Sequence, residues 1–331
     1  MGLSGCQGGK PDPRTGRVLP APKLPPAYPQ SRDVPLDSQL QTAAHTELHT
    51  DLHNQDPNVR AHAVEELQRS VGKDAEAEIL EALSDRQALV RYAAGMAAGQ
   101  LKLKAGRDQY EKMLDDPDRV VRVVAHFDLH QIGDYRHSHE LEKLSRDPEP
   151  QVRGTTAQVL GLIGDPSAVK VLRPMRHDSH PAVRQQAAAS LWRLGDEQGL
   201  ADLIGYTLSQ FQDDQMFALI SLSAPHKRVV IQHVRNGLVT DSPQVNLTAA
   251  RAMGMLGCDE GYGVARGSVK SQDPSLRLLS AMAFGMIGRS DAQDVLRGLL
   301  ADPDPNVRVA AAGAILELRP HFISECSPNR G

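Results

Sequence analysis

Residues 56–67 read DPNVRAHAVEEL, and the phrase returns as PEPQVRGTTAQVLGLIGD at 148–165 and DPNVRVAAAGAILEL at 304–318. With the arginine as reference, Arg60, Arg91, Arg122, Arg153 and Arg184 stand 31 residues apart. Two further steps of 31 land on Gln215 and Asn246, after which Arg277 and Arg308 resume the phase. Nine units follow one another without an insertion. A fixed period of this length marks a repeat architecture.

The other columns keep the same register. The residue before the reference is Val59, Val90, Val121, Val152, Val183, Val245 or Val307 in seven units. Three places after it the residue is always small, from Ala63 to Ala311, and seven places after it always apolar, from Leu67 to Ile315. These offsets form one stripe of an α-helix. A second helix follows in each unit, marked by Ile79, Tyr110, Leu141, Leu172, Leu203, Val234, Ala265 and Leu296, and Leu48 holds that phase ahead of the first unit. Prolines such as Pro57, Pro150 and Pro305 suit a first helical position, and Gly133, Gly164, Gly195, Gly257 and Gly288 suit a helix end. The expected fold is all-α, a solenoid of about nine stacked helix pairs over residues 38–320.

Asp-Pro-x-x-x-Val-Arg-x-x-Ala-x-x-x-Leu resembles the HEAT-repeat consensus, in the short regular form named after phycobiliprotein lyases. The resemblance implies an armadillo-type superhelix and a side-chain ladder along it. That ladder would join Arg60, Arg91, Arg122, Arg153, Arg184, Arg277 and Arg308 to acceptors six places before each reference. The acceptor column holds Asp85, Asp116, Asp147, Asp178 and Asp302, with Asn54, Ser209, Thr240 and Ser271 in the remaining units. The resemblance also puts the arginine-bearing helices on the concave side. Their free positions carry Tyr92, Met96, Val123, Phe127, Met216, Ile220, Leu247, Arg251, Leu278 and Met282, with Trp192 and His130 one turn on. Apolar side chains exposed there would form a groove for a protein or peptide partner. Units six and seven, where Gln215 and Asn246 replace arginine, are expected either to change the local curvature or form a binding notch over 205–250, or to be plain repeat decay.

Chemistry-bearing motifs are scarce. His45, His49 and His53, like His126 and His130, have helical spacing, but no carboxylate-backed constellation accompanies them, so solvated or capping roles are expected and no metal. Deoxyhypusine hydroxylase resembles a HEAT array with several His-Glu pairs, and this chain has only His139-Glu140. No phosphate loop, dinucleotide fingerprint or nucleophile elbow occurs. The expected function is a non-catalytic interaction scaffold with no cofactor; the rival is an accessory enzyme resembling the phycobilin lyases. A formal charge of −4 gives no bulk case for nucleic acid.

Residues 1–37 hold eight of the 22 prolines and show no helical period. Such a segment reads as a disordered tether. Leu3-Ser4-Gly5-Cys6 matches the pattern preceding a lipidated cysteine, although the usual apolar run does not stand before it in this sequence. This layout suggests a bacterial lipoprotein attached to the envelope through Cys6; a cytoplasmic protein is the alternative. Cys6, Cys258 and Cys326 are too few and scattered to suggest a disulfide framework. Residues 321–331 read as a tail.

Overall fold

The computed structural model describes residues 33–320 together with Cys326. The first nine helices are α1 (Ser38–Asp51), α2 (Pro57–Ser70), α3 (Glu76–Ala82), α4 (Ala88–Leu101), α5 (Arg107–Met113), α6 (Arg119–Gln131), α7 (Ser138–Leu144), α8 (Pro150–Ile163) and α9 (Val169–Met175). The second nine are α10 (Pro181–Arg193), α11 (Glu197–Tyr206), α12 (Gln212–Ser223), α13 (Ile231–Asn236), α14 (Pro243–Met255), α15 (Tyr262–Ser268), α16 (Pro274–Ile287), α17 (Gln293–Leu300) and α18 (Pro305–Leu316).

Local chemistry sets these boundaries. The Asp56, Asp118, Asp273 and Asp304 carboxylates accept first-turn amide protons of α2, α6, α16 and α18, satisfying donors that a helix start leaves orphaned. Gly164 at φ 80° and Gly288 at φ 75° end α8 and α16 in the left-handed region, which glycine enters without a Cβ penalty.

Even-numbered helices carry the reference column and stand side by side as an inner layer; odd-numbered helices back them. Every residue three places after the reference, from Ala63 through Thr156 and Ser280 to Ala311, is 0% exposed. A small side chain there lets neighbouring inner helices approach. Thr156 and Ser280 satisfy their hydroxyls on the Val152 and Ala265 carbonyls. Leu48, Ile79, Tyr110 and Leu172 from the outer layer are fully buried beneath them.

The solenoid closes on itself. α18 packs on α1 and on α2 as well as on α16 and α17. Among the described residues the first helix, α1, belongs to the outer layer and the last, α18, to the inner layer. Closure pairs these two helices, so among the described residues nine inner helices form a ring and nine outer helices surround it. Arg308 Nε donates to Glu47 Oε1 at 2.5 Å, and Arg69 Nη1 to Glu317 Oε2 at 2.5 Å. Arg69 also pairs with the buried Glu66. A Cβ on Gly313 would strike the Glu66 carboxylate, so glycine is what allows α18 to approach α2.

Two expectations need correction. The segment before α1 is not free as far as residue 37: Val34 N–H donates to Ser290 Oγ at 3.1 Å and Asp37 N–H to Gln293 Oε1 at 2.6 Å. These contacts exist because α1 must reach the far end of the array. Cys258 and Cys326 form a disulfide with Cα atoms 5.1 Å apart. They are 68 residues apart in sequence, and the chain after α18 runs back past unit eight, where Arg319 N–H donates to the Gly288 carbonyl at 2.9 Å. The lipidation candidate Cys6 and residues 1–32 lie outside the described residues, as do 321–325 and 327–331 of the tail.

Candidate functional site

The arginine column is a structural ladder of a specific kind. Arg91 Nε and Nη2 grip both oxygens of Asp116 in the following unit at 2.7 and 2.8 Å, while Nη1 donates to the Asp85 backbone carbonyl of its own unit at 2.8 Å. Arg60 with Asp85, Arg153 with Asp178 and Arg277 with Asp302 repeat the bidentate arrangement. Such paired charge-assisted bonds fix register as well as adding energy.

Several rungs differ from the expected pattern. Arg122 and Arg184 keep bonds to their own unit's carbonyls, but Asp147 is engaged by Arg119 and Ser209 faces Asp214. Gln215 and Asn246 retain a bond to their own unit, on the Ser209 and Thr240 carbonyls, and are too short to reach the next one. Arg308 finds Glu47, across the closure, in place of the next unit's acceptor.

The geometry through 205–250 is not uniform. α10 packs closely on α11 and only lightly on α12, unlike the other neighbouring inner helices. The outer element of unit six is the short α13 flanked by 3-10 turns, with His226 at φ 54° before it. Trp192 bridges this junction: its Nε1 donates to the Leu222 carbonyl at 3.0 Å, and Lys227 Nζ sits 4.3 Å from its ring centroid.

The expected open concave groove is not present. Met96, Val123, Phe127, Trp192 and Leu247 are buried at 6%, 0%, 0%, 4% and 0% exposure. The physical reason is the tight inner ring, in which neighbouring inner helices press these side chains between them. Phe127, for example, lies where a Cβ on Gly99 would be. Tyr92, Met216, Ile220, Arg251, Leu278 and Met282 are half-buried. Tyr92 Oη donates to Gln158 Oε1 at 3.0 Å, spanning from unit two to unit four. Burial pushes the Tyr92 phenol up to about 12. Arg251 Nη1 reaches only the Met282 sulfur, and its Nε is buried without a partner.

What remains accessible is one mouth of the ring. A cavity of about 440 Å³ lies over the first turns of α4, α6, α8 and α10. Leu89, Tyr92 and Val120 supply apolar wall, Gln151, Gln158 and Gln186 supply neutral amides, and Gly154 leaves the centre open. Leu89 is 45% exposed, and the connector into α12 carries Leu208 at 81% and Phe211 at 62%. Gly154 and Gln158 occupy the two columns that carry Tyr92 and Met282 elsewhere. A search of those columns for apolar side chains alone passes over them.

The helical histidine pairs make local contacts. His130 Nδ1 lies 2.9 Å from Ser138 Oγ, and the His126 and His137 rings are 5.8 Å apart. Burial, aided by the neighbouring His137, depresses His126 to about 4. Among the described residues no three or more His, Cys, Asp or Glu side chains are arranged to hold a metal ion.

Comparison with known proteins agrees with the architecture. The HEAT-repeat family profile matches residues 47–127, 139–223 and 267–321. No curated protein sequence matches the chain. Similar solved structures include the complex of CpcE and CpcF of phycocyanin lyase from Nostoc sp. PCC7120, at 18% identity and TM-score 0.44, covering 72% of this chain and 96% of that one. Human deoxyhypusine hydroxylase is similar at 18% identity and TM-score 0.37, covering 84% and 96%. Kap121p is similar at 14% identity and TM-score 0.34, covering 84% of this chain and 37% of its own. With the 31-residue period, the paired helices and a profile match over more than half its length, the chain belongs to the HEAT-repeat family.

Proposed function

We propose that this HEAT-repeat ring is a non-catalytic scaffold that holds an extended polypeptide segment of a partner protein in the mouth over α4, α6, α8 and α10. The observation that carries this reading is the composition of the cavity wall. Gln151 and Gln186 each offer a donor and an acceptor, and Gln158, whose Oε1 accepts from Tyr92, offers its amide donor, the chemistry that suits a peptide backbone, beside Asp118 and His180 at the rim. Leu89, Val120 and Tyr92 suit its side chains. Leu89, which lies in that wall, is 45% exposed, and exposed apolar area marks interaction sites. The disulfide between Cys258 and Cys326 supports an oxidising compartment, in keeping with attachment to the bacterial envelope through a lipidated Cys6. Mass spectrometry of the N-terminal fragment from the native host checks that attachment; an unmodified Cys6 removes it.

The binding test uses Gly154→Trp. A Cβ at this helical position meets only Val183, at 3.9 Å, so the indole fills the cavity without disturbing the packing. Peptides selected from a displayed random library on the wild-type ring should lose at least tenfold in affinity to this variant by calorimetry. Enriched peptides that bind both proteins equally would sink the proposed site.

A further inference from the structure

Where the ring closes, its inner wall carries Glu65, Glu66, Arg69, Arg251 and Glu317, and two of these are left unpaired. Arg69 of α2 holds Glu66 beside it and Glu317 beyond the end of α18. Arg251 of α14 stands apart. Among the described residues its one hydrogen bond is from Nη1 to the Met282 sulfur at 3.5 Å, and its Nε is buried without a partner. Glu65 of α2 stands apart as well, with no hydrogen bond or ion pair among the described residues. Both hold the position five places after their unit's reference, the column of Gln158 and Met282. Contacts lead from one to the other around the wall. Arg251 touches Met282 of α16, and a Cβ on Gly285, one turn along α16, would lie 2.6 Å from a Glu317 carboxylate oxygen. Glu317 in turn is bound by Arg69, on the helix that carries Glu65.

The two unpaired groups also act on each other. Burial raises the Glu65 carboxyl, and His62, Arg251 and Arg69 oppose that rise. Burial and Arg69 lower the Arg251 guanidinium, against the pull of Glu66, Glu317 and Glu65. Glu65 is nonetheless open to solvent, as a side chain standing in a concave space would be. It acts on the Tyr92 phenol too, so Tyr92 stands by Glu65 as Met282 stands by Arg251. An unpaired anion and an unpaired cation thus share one space without touching.

We propose that Glu65 and Arg251 form a receptor for a free apolar α-amino acid, Glu65 accepting from its ammonium group and Arg251 donating to its carboxylate. The charges of the wall select this class of ligand. A simple anion at Arg251 would also face Glu65, Glu66 and Glu317, and a simple cation at Glu65 would face Arg251 and Arg69. A zwitterion serves both groups and leaves the net charge of the wall unchanged. The guanidinium edge matches a carboxylate in geometry and charge, and a buried charged donor without a partner is costly. Tyr92 and Met282 offer the ligand side chain an apolar surface, the thioether being adaptable in shape. The site shares only Tyr92 with the polypeptide mouth and does not depend on that reading.

Calorimetry on the full-length protein with L-leucine, leucinamide and N-acetylleucine tests the proposal. The amide lacks the carboxylate, and the acetyl compound lacks the ammonium. Leucine should bind, and each derivative should bind at least about tenfold more weakly, the loss of one charge-assisted contact. Arg251→Met should then abolish the preference for leucine over leucinamide, and Glu65→Gln the preference over N-acetylleucine, with helical content unchanged. A wild-type protein that fails to bind leucine, or that binds either derivative as tightly, overturns the proposal. So do folded variants that keep both preferences. The comparison of the three compounds on the wild-type protein decides the matter even where a variant does not fold.

Discussion

Asp128 has no exposed surface, and neither of its carboxylate oxygens has a hydrogen-bond partner. Only the Gly99 amide approaches it, and that N–H belongs to the α4 ladder. Burial raises the carboxyl well above its ordinary value of 3.8. A group whose folded-state value is raised contributes stability below the unfolded value and loses it as pH climbs toward the folded one. Asp128→Asn removes this titration in an isosteric side chain. The variant is expected to gain stability over wild type as pH rises from 4 to 9, reaching about 1–3 kcal/mol at the alkaline end, by urea unfolding at each pH. A constant difference across that range would contradict the assignment. The ladder makes a second claim at this scale. Arg153→Met removes a bidentate pair and two carbonyl bonds, and should cost about 1.5–3 kcal/mol. Asn246→Ala loses bonds only within its own unit and should cost about 1 kcal/mol; equal losses in the two variants would contradict the ladder. The ladder arginines and their acceptors were legible because they recur every 31 residues. Arg119 in place of Arg122 as the partner of Asp147 was not, since no column marks that exchange.

At the scale of the helix pair, sequence and structure agree most closely. The small column and the apolar column seven places after the reference are buried throughout, because any larger or polar group there would hold two helices apart. What the columns could not disclose is how far the inner face stays open, which depends on the small rotation between successive pairs. Hence Val123, Phe127 and Leu247, expected in a groove, lie inside the wall. The α10–α12 junction shows the cost of leaving the repeat. With Arg184 and Gln215 making no ladder bond to a following unit, Trp192 provides a link through its indole N–H and the Lys227 ammonium above it. Trp192→Phe keeps most of the buried ring but leaves the Leu222 carbonyl unpaired. It is expected to cost about 1–3 kcal/mol and to raise hydrogen exchange selectively in α10 and α12. Uniform exchange across all units would contradict a weak junction there.

For the whole molecule, closure was half-visible in the sequence. Leu48 keeps the outer-helix phase ahead of the first unit, and the last described helix, α18, is an inner one. Two such helices are the ingredients of a ring, but their meeting requires a curvature that a periodicity does not specify. The disulfide depends on the chain after α18 running back past unit eight, which a periodicity does not specify, so 68 residues of intervening sequence concealed it. Replacing Cys258 and Cys326 with serine should lower stability by about 2–4 kcal/mol, with a smaller loss if the tail holds its place without the bond. The most direct test of closure is a distance between the two ends. Dyes on Thr42 of α1 and Gly298 of α17, both exposed, report it by single-molecule energy transfer in Thr42→Cys/Gly298→Cys on the Cys6→Ser background. A ring places them on neighbouring outer helices, within roughly two helix spacings of about 10 Å each, and gives a single high-efficiency population. An open solenoid, with its ends separated by the whole stack, would give low efficiency and contradict closure.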